Sequence, residues 1–323
     1  MMRIDAHLHV NFCGLGPKRL IEYLDSNRFD CCWLLTWEEI SPGKWPYQHL
    51  SVDEVFECYV KYPSRIIPFY APDPHRANAG SAFLNYYRNG FRGYGELKAT
   101  LSWASPQLRS ILDVLRDTGV PVLFHMEESS HSQIPLDPSS SLETFLVQCM
   151  RTSRLGGWTG KLFKLLSRHY NPVLEWMDRR TSFFPGYMLD IAELELILLD
   201  YPTINFIGHG PLFWKHISAS VERGGPVYPP GPVQKEGQIC RLLRSYPNIF
   251  ADISAGSGFN ALSRDKDFSR TFLDELNGKV LFGSDNATLG HEDLLKSFGL
   301  SKNVLNRIMG ETAARLIPPN VIS

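Results

Sequence analysis

The 323-residue chain predicts an α/β fold: a (β/α)8 TIM barrel with a helical insertion after the fifth strand. Three observations predict it. Short apolar runs recur with helical segments between them, the rhythm of parallel βα units. Runs such as Cys31-Cys32-Trp33-Leu34-Leu35-Thr36 are apolar at nearly every position, which marks strands covered on both faces. Histidines and acids stand where the runs end, and a barrel builds its chemistry at the C-terminal ends of its strands. The structural alternative, a doubly wound open sheet, carries a Gly-rich phosphate turn after its first strand. Here the first strand ends in histidines.

That strand reads Met2-Arg3-Ile4-Asp5-Ala6-His7-Leu8-His9-Val10. Residues two apart along a strand share a face, so His7 and His9 project together. Two imidazoles at a strand end are a natural start for a divalent metal site. Taken alone, the pair reads equally well as surface or core histidines. Pro17 opens a helix carrying Leu20, Ile21 and Leu24. Ser51 and Glu54 form a capping-box pattern at the head of a helix over 52–62. Further strands are expected over 66–70, 93–98, 119–125, 203–209, 248–253 and 279–285. Helices are expected over 77–88, 105–117, 190–200, 238–245, 268–276, 292–298 and 302–316.

Two stretches break the alternation. Residues 126–187 exceed an ordinary βα loop, are rich in aromatics, and carry helix-like pieces at 142–150 and 161–166. They leave the barrel directly after His125, so they are expected to form a helical lid subdomain within a single-domain chain. Contacts in a homo-oligomer are the alternative use. The second stretch, 213–237, holds Gly224-Gly225-Pro226 and Pro229-Pro230-Gly231-Pro232.

A formal net charge of −1 argues against a nucleic-acid footprint. No apolar run reaches the roughly 20 residues of a membrane span, and the first residues lack a signal-peptide core. Six cysteines without a CxxC pair fit reduced thiols. The expectation is a cytoplasmic enzyme acting on a small molecule.

The strand ends supply the candidate chemistry: His7 and His9 from strand one, Glu96 and Lys98 from strand four, His125 from strand five, His209 from strand six and Asp285 from strand eight. Each alone is more often structural, but together they would hold one or two divalent ions, with zinc expected. Asp285 would ligate the metal or take a proton from the attacking water. Ser254, heading Ser254-Ala255-Gly256-Ser257-Gly258, would help cradle an anionic group, or simply belong to a tight turn. Trp37, with Tyr70 and Trp103, would line an apolar pocket or pack beneath loops. Lys98 would bind a substrate carboxylate or phosphate, or pair with Glu96. No GxSxG or GxxxxGK[ST] pattern competes.

These motifs, Ile4-Asp5-Ala6-His7-Leu8-His9, Gly95-Glu96-Leu97-Lys98, Phe124-His125, Ile207-Gly208-His209-Gly210 and Phe282-Gly283-Ser284-Asp285, resemble the amidohydrolase superfamily. The amidohydrolase-related (amidohydrolase 2) group is the nearest branch. Met309-Gly310-Glu311-Thr312-Ala313-Ala314-Arg315-Leu316 is similar to that group's terminal helix, which commonly has Asn where Thr312 stands. The resemblance implies a distorted barrel with His7, His9, His125 and Asp285 as metal ligands. It implies that His209 orients and deprotonates water or binds a second metal. Glu96 stands where the TatD-like branch has a bridging glutamate. The implied activity is hydrolysis of a small ester, lactone or amide by metal-activated water. Non-oxidative decarboxylation or hydration of a small carboxylated substrate is the alternative.

Overall fold

The computed structural model describes residues 2–36, 38, 50–133, 181–184, 186, 188, 190–221, 225–287 and 289–319. The chain divides into two compact units. Met1–Ile40, His49–Glu128 and Gly186–Ser323 make the first, Ser41–Gln48 and Ser129–Pro185 the second.

The first unit is the expected α/β barrel. Its strands are β1 (Ile4–Leu8), β2 (Cys31–Leu34), β3 (Ile66–Pro68), β4 (Tyr94–Leu97) and β5 (Val122–His125). In the second unit, β6 (Ser130–Gln133) and β7 (Thr181–Phe184) form an antiparallel ribbon. The barrel resumes with β8 (Phe206–His209), β9 (Ile249–Asp252) and β10 (Val280–Leu281), its sixth to eighth strands. All the barrel pairings are parallel, in the orders β1-β2-β3 and β4-β5-β8-β9-β10. The two sheets meet along both edges. Phe69 bridges to Gly93, and the Arg92 N–H donates to Pro68 O at 3.0 Å. On the other side the Ala6 N–H donates to Phe282 O at 2.9 Å and the Asp285 N–H to His7 O at 2.8 Å. The eight strands thus form a ring in which the first lies beside the last.

Seven of the eight strands or their ends feed one apolar cluster: Ile4, Ala6, Trp33, Leu35, Ile67, Phe69, Leu123, Ile207, Phe250 and Leu281, with Ala313 and Ile317 packed against them. Trp33 stacks on Phe69 at 5.0 Å between centroids. Helices α1 (Pro17–Ser26), α2 (Val52–Lys61), α3 (Ala79–Arg88), α4 (Pro106–Arg116), α5 (Ile191–Asp200), α6 (Pro211–Lys215), α7 (Gln238–Ser245), α8 (Ala255–Ser263) and α9 (Lys266–Leu276) lie between the strands, and α10 (His291–Ser297) follows the last one. Their amphipathic spacing explains them. In α4, for example, Leu108, Ile111, Leu112 and Leu115 are buried, and the N-cap Ser105 accepts from the Leu108 N–H. Ser51 likewise caps α2, accepting from the Asp53 N–H.

Three sequence expectations are corrected. The eighth strand was expected over 279–285, but only Val280 and Leu281 lie in the ladder. The Ser284 N–H turns to the Asp5 carboxylate at 3.0 Å, and Asp285 and Asn286 take left-handed φ of +53° and +58°. The terminal helix 302–316 is broken into α11 (Lys302–Asn306), a π-helical turn over Arg307–Glu311 and α12 (Thr312–Leu316). The break falls at Gly310, where an added Cβ would lie 2.3 Å from Met2 O. Backbone approach to β1, not helix propensity, decides that stretch. The insertion is not wholly helical: its described residues form the β6–β7 ribbon, and the helices expected at 142–150 and 161–166 lie outside the described residues. Cys13, Cys31, Cys32, Cys58 and Cys240 are unpaired thiols. No helix among the described residues is long and apolar enough to cross a membrane.

Gly310→Ala should destabilise the chain by about 1–3 kcal/mol, the usual cost of overpacking. In Gly278→Ala the added methyl meets nothing closer than the Arg315 guanidinium at 4.0 Å, so the change should stay within about 0.5 kcal/mol. Urea midpoints of the two variants check this; equal losses would contradict it.

Candidate metal centre

The strand ends bring together most of the residues singled out in the sequence. His7 and His9 are fully buried, and their Nε2 atoms stand 3.1 Å apart. Each ring is held from behind: His7 Nδ1 lies 2.6 Å from Asp252 Oδ2, and His9 Nδ1 lies 2.9 Å from Leu35 O. A carboxylate and a carbonyl can only accept, so the Nδ1 atoms donate and both Nε2 lone pairs turn to one point. Asn286 secures the end of β1 there, accepting from the His9 N–H at 2.9 Å and donating to His9 O at 2.8 Å.

Two carboxylate oxygens stand close to these nitrogens. Glu96 Oε2 is 3.7 Å from His7 Nε2 and 3.5 Å from His9 Nε2. Asp285 Oδ1 is 3.6 Å and 3.3 Å from the same two atoms. Among the described residues, Glu96 Oε2 and Asp285 Oδ1 are buried oxygens without a hydrogen-bond partner. A zinc ion with ligands at about 2.0–2.1 Å in a tetrahedron sets them about 3.3–3.4 Å apart. The separations observed bracket that value.

Charge points the same way. Asp252, Glu96 and Asp285 bring three carboxylates, and Lys98, whose Nζ is 3.4 Å from Glu96 Oε2, brings one ammonium. With neutral imidazoles these groups leave an excess of negative charge, to which Glu127 beside His125 adds, and a divalent cation would offset part of it. That imbalance shows in the titration of the residues. Burial pulls the His7 imidazole down, yet Asp285 and Asp252 hold it well above its ordinary value. Burial opposes ionisation of Glu96, but Lys98 and the imidazoles of His125, His7 and His9 hold it well below the carboxylate range. Asp285 and Asp252 are likewise lowered against burial, chiefly by His7.

The remaining residues sit around this set. His125 Nδ1 is 2.7 Å from Glu96 Oε1, and its Nε2 is 3.1 Å from Glu127 Oε2. His125 groups with Glu96 and His209 as a second set of donors whose ligand atoms lie within 4.8 Å of one another. His209 Nε2 lies 3.8 Å from Asp285 Oδ2 and 4.0 Å from Glu96 Oε1. Burial, and then the neighbouring His7, lower its pKa, so this ring is neutral at neutral pH. Ser254 is fully buried behind His7 and His209, with Oγ 3.2 Å and 3.0 Å from their Nδ1 atoms. Trp37 lies outside the described residues. A third donor group, His7, His209 and Asp252, is a hydrogen-bonded cluster: its 2.6 Å contact is shorter than two ligands of one ion allow.

Two site residues escaped the sequence reading. Asp252 ends an apolar strand just as Asp285 does, and that signal was available. Asn286 gave none, because its role comes from lying across from His9. Gly283 matters for the same spatial reason: an added Cβ would lie 2.6 Å from Asp252 Oδ1 and 2.8 Å from His7 Cβ.

Comparison with known proteins supports the fold. No family model and no curated protein matches the chain. Among solved structures, an uncharacterised TIM-barrel protein from Bordetella bronchiseptica superposes with a TM-score of 0.57 at 10% identity, covering 98% of both chains. A Staphylococcus aureus protein assigned provisionally as an amidohydrolase gives 0.54 at 14%, covering 98% of this chain and 99% of its own. A 5-carboxyvanillate decarboxylase from Sphingomonas paucimobilis gives 0.53 at 12%, covering 99% of both. At these identities the likeness is one of fold, the (β/α)8 barrel.

In metal-free protein, the raised pKa of His7 contributes stability that is fully present below the ordinary value of 6.5 and is lost as pH rises through the raised value. Melting temperature of metal-free protein should therefore fall as pH rises above 6.5, and fall less after zinc loading. A metal-free protein that gains stability over that range would contradict the assignment.

Proposed function

We propose that this chain is a metal-dependent hydrolase of the amidohydrolase superfamily, acting on a small organic ester, lactone or amide. One observation carries the reading: the ligand atoms of His7, His9 and Asp285 lie within 4.8 Å of one another, Glu96 Oε2 stands 3.7 Å and 3.5 Å from the two imidazoles, and Glu96 Oε2 and Asp285 Oδ1 are buried without a hydrogen-bond partner among the described residues. A neutral His209 faces the same place. A divalent ion held by those four donors, zinc being the expected one, would lower the pKa of a water and polarise a carbonyl.

The chain's own residues do the rest. His209 is the proton acceptor. It is neutral, and its Nδ1 is engaged by Ser254 and Asp252, so its Nε2 lone pair is open towards Asp285 and Glu96. Water supplies the nucleophile, His209 takes its proton, the acyl–heteroatom bond breaks, and His209 returns the proton to the leaving group. Asp285, with a side chain 19% exposed, is the donor that meets solvent, so substrate approaches from its side. It is also a second station for the proton. Lys98, almost wholly buried, keeps Glu96 ionised and presents a cation beside the centre for an acidic substrate.

A second reading is supported by that buried ammonium and by the likeness of fold to a 5-carboxyvanillate decarboxylase. In it the substrate is a carboxylated ring; the conjugate acid of His209, which has taken a proton from solvent on Nε2, gives that proton to the ring carbon as the carboxylate leaves as carbon dioxide. Zinc-loaded protein assayed on lactones, esters, amides and carboxylated aromatics, with carbon dioxide release followed separately, decides between the two. Uptake of no divalent metal, or full activity in excess chelator, would reject both.

His209→Asn should reduce turnover by roughly 10²–10⁴-fold, the range for a general base, while retaining bound metal. Glu96→Gln should lose metal as severely as His7→Ala, since each removes one donor of the four. Metal analysis beside turnover separates the cases, and a Glu96→Gln protein that keeps its metal would remove Glu96 from the ligand set.

A further inference from the structure

Asp252 stands behind the centre and touches two of its rings. Its Oδ2 lies 2.6 Å from His7 Nδ1 and 3.2 Å from His209 Nδ1, and accepts from Ser254 Oγ at 2.7 Å. Its Oδ1 accepts from the Ser254 N–H at 2.9 Å. Ser254 Oγ in turn lies 3.0 Å from His209 Nδ1. The donors can be placed in one consistent way. His7 Nδ1–H and Ser254 Oγ–H both point to Asp252 Oδ2, and His209 Nδ1–H points to Ser254 Oγ and Asp252. Every participant is wholly or almost wholly buried, so a misplaced proton has no water to rescue it.

We propose that Asp252, with Ser254 as its second arm, is the positioning residue that assigns the two histidines their separate tasks. By taking both Nδ1 protons it bares both Nε2 atoms, His7 towards the metal and His209 towards the substrate side. One carboxylate thereby couples the ligand to the base. The inference rests on the metal-centre reading above. It is independent of which substrate class is correct, because both need a bare His209 Nε2 or its conjugate acid.

Asp252→Asn keeps the shape and tests the role. With its amide nitrogen in place of Oδ2, the variant offers His7 Nδ1 a donor. His7 must then carry its proton on Nε2, the atom facing the metal. With the amide turned over, the nitrogen meets the Ser254 N–H, donor against donor. Zinc affinity is measured by competition with a chromophoric chelator, beside thermal melting. The expected result is a folded Asp252→Asn protein binding zinc roughly 10–100-fold more weakly, the range for losing such a histidine partner. A folded variant with wild-type affinity overturns the proposal and leaves the metal centre intact. Wild-type protein that takes up no zinc overturns the metal-centre reading itself, and this inference with it. Should the variant not fold, ¹⁵N-histidine spectra of zinc-loaded wild type decide. His209 protonated on Nδ1 supports the assignment, and His209 protonated on Nε2 refutes it.

Discussion

The structure depends on how one barrel end accommodates three carboxylates and an ammonium out of water. Isolated ionised groups cannot be buried cheaply, so each here has a designated neighbour. Asp252 has two imidazoles and a serine, Glu96 has Lys98 and His125, and Asp285 has His7 and His9. These pairings still leave an excess of negative charge, and Glu96 Oε2 and Asp285 Oδ1 without a hydrogen-bond partner. A divalent cation would meet both deficits at once.

That arrangement is possible only because the ring closes. His7 and Asp285 stand at opposite ends of the chain, and the seam between β1 and β10 sets them against each other through the Ala6–Phe282 and His7–Asp285 backbone hydrogen bonds. The seam is itself stabilised by polar groups: Asp5 accepts from the His7 and Ser284 N–H groups and from the Tyr23 hydroxyl. Burial raises the Asp5 pKa to about 6, against the pull of those donors. Gly283 and Gly310 lie where a side chain would collide with the first strand or the residues around it. Backbone proximity at the seam and electrostatics at the mouth are thus parts of one constraint.

The site also separates roles that a bare inventory of histidines would merge. His7 and His9 bring their Nε2 atoms together, His125 lies between Glu96 and Glu127, and burial lowers the pKa of His209 beside them. What distinguishes them is the partner behind each ring. Chemistry at such a centre is set as much by those partners as by the ligands themselves.

The sequence by itself determined the barrel and the membership of its mouth. Apolar runs alternating with amphipathic helices leave few other folds, and a polar residue ending a buried strand has only the barrel mouth to occupy. His7, His9, Glu96, Lys98, His125, His209 and Asp285 were all legible in that way. Only the tertiary structure decided which of them share a point, because strand pairing in a ring is non-local. It set Glu96 beside both first-strand histidines. It drew Ser254 behind two rings and brought in Asp252 and Asn286. It also broke the terminal helix at Gly310, a residue that packs against the backbone of Met2, Arg3 and Ile4. The physical reason is common to these cases. Periodicity reports which face a residue shows, whereas hydrogen-bond partners and close approaches depend on what lies across the gap, which strands distant in sequence supply.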